Sequence, residues 1–177
     1  MTKRPHISVS GVSSRTDGAR GITRALPDEV PVALVYNGAT QAVMMATPAD
    51  LEDFARGFSL SEGIVGTAGQ LGEIEIVEQP QGIEARMWLS PDRAAAMAER
   101  RRAMAGPVGC GLCGIDSLDQ AIRPLPRVAA PDLRWDRDVI ASAPDRLRAH
   151  QPLHDMTHAA HAAGFLRPVG TLVAVRE

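Results

Sequence analysis

Apolar positions cluster and alternate in a readable order from Val30 onward. VPVALVY (30–36), then Asn37-Gly38, then ATQAVMMA (39–46) predicts two strands joined by an Asn-Gly turn, the strongest short hairpin signal. In TPADLEDFARGFSLSEGI, Thr47 fits an N-cap, Pro48 a first helical position and Asp50 the positive helix start. Leu51, Phe54, Ala55 and Phe58 follow at helical spacing and predict one core-facing stripe. Gly57 weakens the interior of this helix and is expected to mark a close packing contact. EIEIVEQ and IEARMWLS alternate polar with apolar residues around Pro80-Gln81-Gly82, the pattern of a second hairpin with one buried face.

Ser90-Pro91 opens a further helix, DRAAAMAERRRAMA, which Gly106 and Pro107 stop. A short helix, SLDQAI, is expected before Pro124, and DRDVIASAPDRLRAHQ reads as a helix that kinks or restarts near Pro144. The tail, DMTHAAHAAGFLRPVGTLVAVRE, reads as a turn and two strands around Arg167 to Gly170. Residues 1–28, rich in Ser, Gly, Thr and Arg, show no periodicity and are expected to be a flexible arm. Residues 29–177 then form the main domain, with hairpins and helix in 29–90 and the cysteine loop in 91–177. This order gives an α/β (α+β) chain. TLVAVRE is expected to leave one strand face uncovered, which a partner or a missing continuation would cover.

Composition narrows the classes. The 177 residues are 45% hydrophobic but only 3% aromatic, so small aliphatic side chains carry the burial. A net charge of −2 with no basic face beyond Arg100, Arg101 and Arg102 argues against a nucleic-acid partner. No stretch approaches the length of a bilayer span, and no apolar signal segment opens the chain, so the default expectation is no membrane and a cytoplasmic location.

The candidate chemistry sits in VGCGLCGID (108–116), which holds both cysteines, Cys110 and Cys113, among glycines. Thiols act as thiolates, and a following helix start would stabilise an anionic sulfur. Four readings stay open: a persulfide site in which the second thiol resolves the first, half of a zinc site, a thioredoxin-type redox pair, and plain free thiols. The zinc reading needs further ligands, for which His154, His158 and His161 are the candidates. A zinc nucleobase deaminase needs an upstream H-x-E, and the histidine before Cys110 is His6, followed by Ile7 and Ser8. The loop 106–114 lacks the glycine patterns of a phosphate cradle. THAAHAA can bring His158 and His161 to one cleft, as proton carriers or anion contacts.

VYNGATQAVMMATPADLEDFARGFSLSEGI, VGCGLCGIDSLDQA, THAAHAAGF and LVAVRE, in that order, resemble the FdhD family, the sulfurtransferase-type accessory proteins of formate dehydrogenase. The resemblance implies a sulfur carrier that accepts persulfide sulfur from a cysteine desulfurase. It would pass that sulfur to the molybdenum (or tungsten) bis-pterin guanine dinucleotide cofactor, bound transiently and not as a resident group, before insertion into formate dehydrogenase. Cys110 would carry the sulfur, with Cys113 assisting or as the alternative carrier, and Thr157 and His161 would serve the cofactor. The family fold implied is a cytidine deaminase-like three-layer domain with a small β-rich part, and its members tend to form homodimers. The alternative is a non-catalytic module in which Cys110, Cys113 and His158 or His161 hold zinc. Two departures stand out. THAAHAA replaces both glycines of the family's TGGxHAA, and the family's continuation past Glu177, a DVGRHNA-type segment with further elements, is absent, so weakened cofactor handling is expected.

Overall fold

The computed structural model describes residues 4–102 and 134–177. Eight strands and five α-helices appear among them, a mixed α/β chain whose strands lie in three separate sheets of two, four and two strands. The described residues divide into two compact units that interleave in sequence, one of residues 4–32, 44–50 and 134–177, the other of residues 33–43 and 51–102.

The second unit holds most of the four-stranded sheet. β3 (Val30–Tyr36) and β4 (Ala39–Ala46) are joined by Asn37 and Gly38, whose φ values of 48° and 79° are those of a turn matched to strand twist. β5 (Glu75–Gln79) and β6 (Gly82–Met87) pair antiparallel around Pro80 and Gln81, giving the order β4-β3-β6-β5. Asn37 also ties this sheet across sequence. Its amide hydrogen goes to Met87 O (2.9 Å), its Oδ1 accepts from Leu89 N (2.7 Å) and its Nδ2 donates to Leu89 O (3.2 Å). Alternation on β6 sends Ile83, Ala85 and Met87 inward and leaves Glu84 and Arg86 outside as an ion pair. On the edge strand β5 the expected buried face is weak: Ile76 is 37% exposed, while Ile74, just ahead of the strand, is buried.

Helix α1 (Leu51–Ser61) supplies the other wall of this core. Leu51 and Ala55 are buried, and Phe54 and Phe58 pack partly buried against Leu34, Tyr36, Met87 and their neighbours. Two expectations about it fail. The helix begins at Leu51, not at Thr47-Pro48, because Asp50 takes a φ of 49°, outside helical space, and reaches Arg176 at 3.4 Å. Gly57 makes no close packing contact: it is exposed, and a Cβ there would meet nothing within 4 Å. Gly57→Ala is therefore expected to raise stability by about 0.5–1 kcal/mol, read as a higher denaturant midpoint; a lower midpoint would show a steric demand on that glycine. After Ser61 the chain turns out of the helix through Gly63 (φ 66°), with Ile64 N returning to Ser59 O at 2.9 Å.

Inside this core sits one polar pair. The Ser59 hydroxyl donates to Ala55 O (2.7 Å), so Tyr36 donates its phenolic hydrogen to Ser59 Oγ (2.7 Å). Burial pushes the Tyr36 phenol above its ordinary value, the bond to Ser59 offsets part of this, and Glu62 adds to the rise. α2 (Pro91–Arg102) then starts at the expected proline; the expected stop at Gly106-Pro107 and the helix SLDQAI lie outside the described residues.

The first unit corrects the N-terminal expectation. His6–Arg15 (β1) and Gly18–Pro27 (β2) are not an unstructured arm but pair antiparallel along their whole length. Asp17-Gly18 closes the turn, with Gly18 at φ 127°, and β-branched Ile7, Val9, Val12, Ile22 and Thr23 recur along the two strands. The sparse apolar content hid the pattern, and Val12 is 73% exposed. Later come α3 (Arg137–Ala141) and α4 (Ala143–Arg148), separated at Ser142 beside Pro144, the restart the sequence predicts. A helix not anticipated there follows, α5 (Pro152–Thr157), and then the hairpin β7 (Ala163–Leu166) and β8 (Leu172–Arg176). Arg146 of α4 donates to Gly170 O (2.9 Å) in the loop of that hairpin. A Cβ on Gly170 would lie 3.2 Å from the Arg146 guanidinium, and the glycine's φ of 83° suits no other residue well.

Candidate functional site

Four of the five histidines fall between residues 150 and 161, around α5. Pro152 starts this short helix, Leu153 is buried beneath it, and the Glu177 carboxylate takes the free amides of Leu153 and His154, each at 2.8 Å. Thr157, 5% exposed, donates its hydroxyl to Leu153 O (2.8 Å) and accepts from Ala159 N (3.3 Å). Both capacities of that hydroxyl serve the helix end. His158 closes the helix in the left-handed region (φ 55°), with its amide on His154 O at 2.7 Å. This is where the family resemblance places glycine, which adopts that conformation without a Cβ penalty. His158→Gly is expected to stabilise the chain by about 0.5–1 kcal/mol, checked by denaturant unfolding; a loss would mean that the imidazole packing outweighs the backbone relief.

His154 is held more firmly. Its Nδ1 lies 2.8 Å from Ala160 O, and a carbonyl only accepts, so Nδ1 carries the hydrogen and, in the neutral ring, the lone pair sits on Nε2. The rings of His154 and His158 meet edge to face, with centroids 5.9 Å apart and an interplanar angle of 89°. His161 is exposed just ahead of β7. His150 lines a different feature, an open groove of about 430 Å³ along Leu172, Val173, Ala174 and Val175 of β8. Of the three histidines expected as zinc-ligand candidates, the structure brings the rings of His154 and His158 together, as their i, i+4 spacing allows.

Cys110 and Cys113 lie outside the described residues. Among the described residues no group of three or more His, Cys, Asp or Glu is placed to hold a metal. A second depression, about 300 Å³, lies on the four-stranded sheet between Val35, Thr40, Glu84, Arg86 and Trp88. Its guanidinium is already engaged, by Glu84 at 2.8 Å and Glu75 at 3.8 Å. No described helix is long and apolar enough to cross a membrane.

The described residues define a mixed α/β chain with an ordered histidine-bearing helix end, and its two thiols share one CxxC segment. The chain belongs to the FdhD/NarQ family, whose model matches residues 27–177. It is 49% identical over 154 residues to the sulfur carrier protein FdhD of Agrobacterium fabrum, covering 87% of this chain and 57% of that protein. The sulfur carrier protein FdhD of Cupriavidus necator is 49% identical over 150 residues, 85% of this chain and 52% of that one. The chain therefore spans a little over half the length of these relatives. Its fold is similar to that of a crystal structure from Desulfotalea psychrophila described as a formate dehydrogenase accessory protein. The TM-score is 0.62 at 20% identity, covering 96% of this chain and 60% of that one.

Proposed function

We propose that the chain acts as a sulfur carrier for formate dehydrogenase. The observation that carries this reading is the 49% identity over 154 residues to a protein named as a sulfur carrier. The chain's own chemistry supports it, since both cysteines fall in GCGLCG with glycines on either side. In this reading the Cys110 thiolate attacks the outer sulfur of a cysteine desulfurase persulfide. A Cys110 persulfide forms, and the desulfurase cysteine leaves as thiolate, so atoms and electrons balance. Cys113 assists or is the alternative carrier. The molybdenum bis-pterin guanine dinucleotide cofactor is cargo that receives the sulfur before insertion into formate dehydrogenase. His161, with its exposed side chain, meets the cofactor, and buried Thr157 acts by holding the turn that presents it. A reducing cytoplasm, which keeps such thiols free, suits this chemistry.

The test is incubation with a cysteine desulfurase and cysteine followed by intact mass measurement. One added sulfur, about 32 Da, supports the reading. An unchanged mass under conditions that load a full-length relative overturns it.

A further inference from the structure

We infer that His154 and His158 form a solvent-facing site for a borderline divalent transition ion of the zinc or nickel class, using two neutral imidazoles. The inference is independent of the sulfur reading, because it uses neither cysteine. Three observations converge on it. The bond from His154 Nδ1 to Ala160 O fixes the tautomer that leaves Nε2 as a ligand, the orientation that ligating histidines share. His158 lies four residues on, with its ring 5.9 Å from that of His154. Two imidazoles on one tetrahedral ion, at metal–nitrogen distances of about 2.0–2.1 Å, have centroids roughly 5 Å apart. The rings stand edge to face at 89°, so shared ligation requires the exposed His158 ring to reorient. Third, His158 is exposed, so an ion from solvent reaches its ring. The neighbouring carboxylate, Asp155, is engaged by Arg148, so water completes the coordination. Imidazole pairs select zinc, nickel and copper over the hard oxygen-seeking cations.

The experiment is calorimetric titration of the full chain with zinc chloride after iodoacetamide has blocked Cys110 and Cys113, so that thiolates cannot compete. One zinc ion per chain is expected. His154→Gln, which keeps an amide donor for Ala160 O, and His158→Asn, which tolerates the left-handed backbone, should each weaken binding at least about tenfold. No binding up to millimolar zinc, or undiminished binding in both variants, overturns the site. Should a variant fail to fold, nickel titrated into the wild-type chain decides by proton NMR. Ring signals of His154 and His158 broadened ahead of those of His150 and His161 support the site, and uniform or absent broadening overturns it.

Discussion

Serine in place of Cys110 is expected to abolish the mass gain of about 32 Da that follows incubation with a cysteine desulfurase and cysteine. Sulfane transfer needs a thiolate, and a hydroxyl at that position is neither ionised near neutral pH nor able to hold a second sulfur. Cys113→Ser should still accept sulfur but release it more slowly, because the resolving thiol is gone. The pair of variants decides the assignment. Loading of Cys110→Ser with failure of Cys113→Ser would exchange the two roles, and full loading of the double variant would remove the cysteines from the reaction.

The second large effect is structural. Asn37→Ala is expected to destabilise the chain by about 2–3 kcal/mol. Two side-chain bonds to Leu89, at 2.7 and 3.2 Å, are worth about 1 kcal/mol each, and alanine at a φ of 48° costs roughly another 1 kcal/mol. Asn37→Gly keeps the backbone conformation and loses only the bonds, so it should cost less than alanine by about that last amount. Urea unfolding of the three proteins checks both statements. If glycine proves as damaging as alanine, the turn conformation is not what Asn37 contributes.

Asn37 also shows what could be read in advance. The Asn-Gly dipeptide between apolar runs gave away β3 and β4, because a turn of that kind is specified by two adjacent residues. The bonds from Asn37 to Leu89 span 52 positions, and nothing local encodes them. The α1 stripe was legible from spacing, but its start was not. Thr47 and Pro48 have the right local chemistry, yet Asp50 takes a left-handed conformation, and its carboxylate pairs with Arg176, a residue far along the chain. The N-terminal hairpin was missed for the opposite reason. Its ladder runs from His6 opposite Pro27 to Arg15 opposite Gly18, with serines and arginines where a buried strand would show an apolar face. Asp17-Gly18 was the overlooked signal. At the histidine segment the residue types were visible, but the helix beneath them was not, since α5 has only six residues and its first amides depend on a distant glutamate.

That glutamate links two elements that look separate in the sequence. Glu177 lies directly after β8 and grips the first turn of the helix that carries His154. Pulling the strand out of its hairpin would strip that turn of its acceptor, and loosening the turn would free the carboxylate at the strand's end. A molecule that clamps the imidazoles should therefore slow amide hydrogen exchange along β8, although it touches no atom of the strand.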